Sequence, residues 1–333
     1  MTEISVRLAC ADYARVMPLA SGAVKPAGID LSLTIGSGGS WPLRADLLRR
    51  ATIATEFDGG ESSMGAHLRR VETGDRTFVA LPVFILRGFT MRDIYVRKDG
   101  PVRSPKDLIG KRLGLYNWFA SGGIWYRHAQ VAMGVPLESV EWHVGDIEIP
   151  GETQQAAQVA ELPNHVRPAP AGRFLAEMLV AGEIDAMWSP PRPKLLDAEK
   201  GPIVRLFPDF RAAETDYYRN TGIFPMMHIV VLRRSLWERA PWIARSLTDA
   251  FAAGNDSFDA SQRGFPDAFP WMEAELDKTA DLLGSNPYGH GLTEANRKAV
   301  QAFINQALDA GIIGRSISVD EYFADFLQSQ EKP

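Results

Sequence analysis

The chain predicts an α/β protein of two domains, and three observations carry that expectation. Its 333 residues exceed what one hydrophobic core usually fills, so two domains or one large α/β domain are expected. Short apolar runs of strand length alternate with helical patterns as far as Leu232, after which the pattern is helical. Two extended segments, Ile94 to Arg97 and Thr221 to Leu232, bracket an independent run of strands and helices. The chain is therefore expected to cross out and back, with 1–95 and 227–333 in domain I and 96–226 in domain II.

Composition narrows the partners. Apolar residues make up 45% and charged residues 23%, as in ordinary globular proteins. The net charge is −5 and no basic tract occurs, which argues against nucleic acid. No apolar run reaches membrane-spanning length, so no membrane partner is expected; a homo-oligomer is compatible with the sequence. The start, MTEISVRLAC, carries Glu3 and moves straight into strand alternation without an apolar leader, so a cytoplasmic protein is expected. Cys10 is the only cysteine, which excludes an intrachain disulfide and multi-cysteine metal sites; a buried small hydrophobe is its simplest role.

Taken in order, Ile4 to Ala9 and Ile29 to Ile35 read as strands, and Ser40 caps a helix with Pro42 in its first turn and a stripe at Leu43, Leu47 and Leu48. The intervening GSGGS at 36–40 lacks both G-x-G-x-x-G and a Walker lysine, so it reads as a turn rather than a nucleotide loop. Phe57 would finish a short strand, Gly59 and Gly60 would bend the chain, and Ser62 or Ser63 would cap the helix carrying His67 and Leu68. Asp58, Glu61 and His67 could then face one crevice; a hydrogen-bonded pair without chemistry is the other reading of the two acids. Phe78 to Leu86 is an apolar strand that Pro82 places at an edge or bend, and Arg87 at its end could clamp a carboxylate or close a salt bridge. Ser104 to Leu108 starts a short helix.

The segment Gly110 to Gly134 is the centre of the second domain. Leu113 to Tyr116 has strand length, and Ser121, Gly122 and Gly123 open a helical pattern. Backbone N–H groups at that helix start, with Ser121 and the loop at Asn117 and Trp118, could hold an anion; a plain helix cap with glycines for packing is the alternative. Beyond it, Val140 to Val144 and Ile184 to Trp188 read as strands, Glu152 to Ala160 as a short helix, and Gly172 to Val180 as a helix. Prolines flank Arg192 and could aim it inward as a second cation. Among six histidines, His228 at the return crossing is the one expected to transfer a proton, with a core or hinge histidine as the other reading. The histidines form no H-E-x-x-H run; no metal ligand set or organic cofactor is expected, and a divalent metal assembled from distant residues is left open. Helices are expected at Ser235 to Phe251, from near Trp271, and from Leu292 to Ala310.

Several motifs together resemble the 4,5-dihydroxyphthalate decarboxylase family: Ala23 to Leu31, Glu56 to Asp58, the strand ending in Arg87, Ile94 to Arg97, Asp107 to Arg112, Gly182 to Ala186, Arg192, and Thr221 to His228. The resemblance covers nearly the whole chain. Departures are Met91, where a histidine is expected, and Tyr116-Asn117-Trp118, where a proline and an acid are. It implies a type II periplasmic-binding-protein-like fold, two α/β domains with a central cleft and two crossing segments. It also implies non-oxidative decarboxylation of a hydroxylated aromatic acid by ring protonation and loss of CO2. His228 would be the acid, Asp58 or Glu61 would orient it, and His67 would be the next proton donor. Arg87, Asn117, Trp118, Ser121, Gly122 and Arg192 would bind the small aromatic carboxylate. A noncatalytic binding protein for a small aromatic or carboxylate ligand is the opposing reading, since fold alone decides no function.

Overall fold

The computed structural model describes residues 3–330 except 37–38, 55, 152–160, 198–199, 266 and 268, so the helix expected at 152–160 lies outside the described residues. The chain divides into two compact units. One comprises Met1–Gly88, Met226–Gln301 and Ile317–Pro333; the other comprises Phe89–Pro225 and Ala302–Ser316. Two boundaries differ from expectation. The first crossing comes at Gly88–Phe89, because Phe89 packs on Tyr217 and Phe224 of the second unit. The helix Glu294–Asp309 is shared, because its Phe303 packs on Trp125.

Strands β1 (Ile4–Cys10), β2 (Ile29–Ile35), β3 (Gly59–Ser63) and β4 (Phe78–Arg87) come first. The second unit supplies β5 (Ile94–Arg97), β6 (Arg112–Leu115), β7 (Glu141–Val144), β8 (Val166–Pro168), β9 (Ala186–Trp188) and β10 (Ile203–Arg205), and β11 (Met226–Arg233) returns to the first. The first sheet has the order β2-β1-β3-β11-β4, and the second β10-β5-β9-β6-β7-β8. In the first, β1 is parallel to β2 and β3, while β11 runs antiparallel to β3 and β4. Both crossings thus start from neighbouring strand ends, with Arg87 paired to Met226.

One sequence expectation reverses here. Gly59 and Gly60 do not bend the chain after a strand; they begin the central strand β3. A Cβ on Gly59 would lie 2.1 Å from the Val231 carbonyl oxygen, and one on Gly60 2.2 Å from that of Ala9. No side chain fits between the flanking strands there, which fixes glycine at both places. Phe57 is instead a core residue, buried with Ala9, Leu47 and Ala51. Leu43, expected in the same apolar stripe, is exposed.

β4 lies at the sheet edge, as Pro82 demands. Leu81 pairs with Val230 but Leu86 with His228, so β4 takes five steps where β11 takes two. The backbone freed by this bulge is met by a loop, through Pro82 C=O accepting from Gly291 N–H and His290 Nδ1 accepting from Phe84 N–H. The helix expected over 235–251 is two, Arg234–Arg239 and Ile243–Gly264, because Pro241 cannot continue the first. The helix Phe210–Thr221, closed by Gly222 in the left-handed region, is an element that sequence patterning missed. No helix among the described residues is long and apolar enough to cross a membrane.

Candidate active site

Glu61 lies within the central strand of the first sheet, where Val230 is its cross-strand partner. His228, two residues from Val230, shares that face, and the two side chains meet. His228 Nδ1 stands 2.5 Å from Glu61 Oε1. The loop after β1 adds Tyr13, whose hydroxyl donates to the same oxygen at 2.6 Å, and the Ala11 N–H, which donates to Oε2 at 2.8 Å. From the helix Trp41–Thr52, Arg44 Nη2 reaches Oε1 at 3.2 Å and donates to the Tyr13 hydroxyl. The cluster sits at the carboxyl ends of parallel strands β1 and β3, where α/β sheets place ligands.

Glu61 is 1% exposed. Burial alone would push its carboxyl up, but the hydrogen bond and charge of His228, the charge of Arg44 and the Tyr13 hydroxyl outweigh it and hold the group at about 2. Burial and the charge of Glu61 raise the Tyr13 phenol well above its ordinary value, so it remains a donor at neutral pH. Burial lowers His228, Glu61 opposes that, and Arg44 adds to it. The resulting state has a definite tautomer. A carboxylate only accepts, so His228 Nδ1 carries the proton towards Glu61, and the 3.3 Å approach of Arg44 Nη2 to Nδ1 is not a hydrogen bond. Nε2 is left with a lone pair, and no hydrogen bond occupies it among the described residues. A carboxylate that fixes an imidazole in this way produces a proton acceptor with a defined direction.

The other expected catalytic residues fall elsewhere. Asp58 precedes β3 and accepts from the Arg7 backbone N–H at 2.9 Å, roughly 10 Å along the extended chain from Glu61. His67 is buried on the far helix of the strand-helix turn, edge-on to Tyr322 at 5.1 Å, and burial holds it at about 4. The first correction follows from Gly59 and Gly60 being strand rather than bend, which spaces Asp58 and Glu61 along an extended segment; the second follows from the helix Met64–Thr73 burying His67 against Tyr322.

Arg87 is buried, with Nη2 donating to the Gly289 carbonyl at 2.7 Å and Asn296 Oδ1 at 2.8 Å, and burial lowers it to about 9. It lines a pocket in the first unit together with Tyr13.

In the second unit, Asn117 Oδ1 accepts from the Phe119 N–H, and Trp118 is buried with Arg127 stacked 4.0 Å from its ring centre. Trp118 is therefore a core ring and not the exposed wall of a binding loop. Ala120, not Ser121, is the residue before the helix Ser121–Ala132, and Ser121 is buried in its first turn. A Cβ on Gly122 would lie 2.6 Å from Trp188 Cη2, so packing accounts for that glycine. Arg192 is exposed. Among the described residues no three or more His, Cys, Asp or Glu side chains gather as a metal site would require.

Sequence reasoning missed Tyr13 and Arg44. The position of Tyr13, three residues beyond the apolar strand ending in Cys10, was the available signal: loops at that end of a parallel strand are where α/β proteins place functional groups.

No family model matches the chain. Over 331 residues it is 28% identical to a 4,5-dihydroxyphthalate decarboxylase of Comamonas testosteroni, covering 97% of each chain. A 4,5-dihydroxyphthalate decarboxylase of Pseudomonas putida is 28% identical over 222 residues, 66% of this chain and 83% of that one. Among solved structures, a periplasmic sulfonate-binding protein SsuA from Methylobacillus flagellatus aligns with a TM-score of 0.50 at 13% identity, covering 99% of this chain and 96% of that one. The chain is accordingly an α/β protein of type II periplasmic-binding-protein-like fold, and it is distantly similar, over nearly its whole length, to 4,5-dihydroxyphthalate decarboxylases.

Proposed function

We propose that this protein is a decarboxylase that removes CO2 without oxidation from a hydroxylated aromatic carboxylic acid, using His228 as proton carrier and Glu61 as its orienting carboxylate. The observation that carries this reading is the 2.5 Å contact from His228 Nδ1 to Glu61, which leaves Nε2 for the substrate. The similarity to dihydroxyphthalate decarboxylases supports it.

The chemistry balances through this one histidine. Neutral Nε2 takes up a proton from water, while a phenolic hydroxyl para to the departing carboxylate gives one up to water and its oxygen pushes electron density to the ring carbon that bears that carboxylate. The imidazolium, stabilised by Glu61, delivers its proton to that carbon and becomes neutral again. The carbon-carbon bond then breaks, CO2 leaves, and its electron pair restores the aromatic ring as a phenolate, which takes one proton from water. Tyr13 and Arg44 do not enter these steps; they keep Glu61 ionised and its lone pairs directed at Nδ1.

Incubating the protein with a panel of hydroxylated phthalates and benzoates in D2O, following CO2 release and ring deuterium, tests the reading. The wild type is expected to release CO2 from at least one and to place one deuterium at the vacated carbon. His228→Gln should bind that acid while losing about 100-fold or more in rate, the scale for a general acid or base. Binding without CO2 release across the panel would favour a noncatalytic binding protein.

A further inference from the structure

The first unit contains a pocket of about 610 Å³ between the end of β4, the helices Ile243–Gly264 and Met272–Leu283, and the loop after β1. That volume falls within the roughly 300–1,000 Å³ of small-molecule sites. Neither Glu61 nor His228 lines it, although Tyr13, which is bonded to Glu61, does.

Arg15 is the built feature of this pocket. Its guanidinium lies 4.0 Å from the ring centre of Tyr288 and 4.7 Å from that of Phe258. Two rings restrict approach to the guanidinium edge. Nη2 donates to Asp259 at 2.9 Å, whereas buried Nη1 has no acceptor among the described residues. Buried N–H groups left without an acceptor are costly, and an acceptor arriving in the guanidinium plane would satisfy Nη1. A carboxylate supplies such an oxygen in that plane. Ile85, Leu86, Met272 and Leu276 give the same pocket an apolar wall, which suits a ring and not a sugar or a bare phosphate. Arg87 and Arg263 add two further cations to the same lining, which also carries the carboxyls of Asp256, Asp259 and Glu275.

We infer that this pocket is a second binding site, separate from the Glu61–His228 pair, for a small aromatic monocarboxylate whose carboxylate meets Arg15 Nη1 and whose ring lies on the apolar wall.

Equilibrium binding of 4-fluorobenzoate to the full chain, followed by 19F NMR, tests this by stoichiometry. Leu276→Trp obstructs the apolar wall of the pocket from a half-buried helix position, and Thr279→Phe does so from the next turn should the first variant fail to fold. The number bound is expected to fall by one in either folded variant. Arg15→Met should weaken the same equivalent by at least tenfold, and Arg15→Lys by less, while 4-fluorobenzyl alcohol should not compete for it. An unchanged stoichiometry in a folded pocket-obstructed variant overturns the inference, as would the uncharged alcohol competing equally. The result is independent of the proposed catalysis. If only the catalytic reading fails, the wild type binds one equivalent and Leu276→Trp removes it; if only this pocket fails, CO2 release by the panel stands and the bound number does not change.

Discussion

The two units fill the same kind of place, the carboxyl ends of their parallel strands, in opposite ways. In the first, the ends of β1 and β3 gather Tyr13, Glu61 and His228 around one carboxylate that accepts from four groups. In the second, the ends of β6 and β9 lead into packed rings: Tyr116 lies 5.4 Å from Trp188, and Tyr126 stacks on Trp188 at 5.6 Å. The second unit also buries a cation, Arg127, but its partners are the Trp118 carbonyl at 2.8 Å and the Trp118 ring, and burial lowers it to about 9. Its Nε and Nη1 have no hydrogen-bond partner among the described residues. The difference is one of partners: hydrogen-bonding and titratable groups converge on Glu61, whereas Arg127 meets one carbonyl and one aromatic face.

The largest effect should come from the strand that positions the carboxylate. Gly60→Ala places a methyl 2.2 Å from the Ala9 carbonyl oxygen, where backbone and not a flexible side chain must give way. A loss above about 4 kcal/mol in urea unfolding, or no folded protein, is expected. A near-native stability would break the account of how β3 holds Glu61.

Arg127 comes next and tests the packing half of the comparison. Arg127→Ala should cost about 2–5 kcal/mol by leaving a cavity beside Trp118, whereas Arg127→Met, which fills the space without charge, should be near neutral or stabilising. Equal, large losses in both would show that the charge itself is needed.

Acid should separate the units by degree. Glu61 is held at about 2, below its unfolded value, so its stabilisation is present above about pH 4.5 and is lost as pH falls towards 2, on the order of 3 kcal/mol in all. Burial lowers His67 to about 4 and His290 to about 3, so the unfolded chain takes up those protons first and the first unit loses stability below about pH 6.5. In the second unit burial also lowers His128 and His143, but it raises Glu214 to about 7, which makes that carboxyl stabilising as pH falls from 7 towards its unfolded value. Hydrogen exchange between pH 6 and 4 should therefore open β1, β3 and β11 before β6 and β7. The reverse order would contradict this assignment.

Much of the fold was legible because hydrophobic period survives in single strands: β2 falls on Ile29–Ile35 as expected, and Pro82 marked an edge strand. The strand β3 was not legible. Gly-Gly-Glu-Ser-Ser has no apolar alternation, and only the backbones of β1 and β11 on either side make its glycines strand residues. That misreading displaced Asp58 into the expected site, whereas His67 left it because its helix turns the ring onto Tyr322. His228 and Glu61 were each legible as titratable groups near strand ends, but their meeting depends on register across 167 residues of sequence separation, which no local pattern encodes. Trp118 shows the converse: an aromatic near a glycine-opened helix reads as a binding loop until its burial is seen.

Whether Glu61 holds His228 as a neutral Nδ1–H imidazole with Nε2 available for a proton is tested most directly by nitrogen-15 NMR of the histidine rings, without knowledge of the substrate. Near pH 7 His228 is expected to show a protonated Nδ1 and an unprotonated Nε2, to titrate below the ordinary histidine range, and to lose its tautomer preference in Glu61→Gln. A His228 protonated on Nε2, or one whose tautomer and titration are the same in Glu61→Gln, would contradict it.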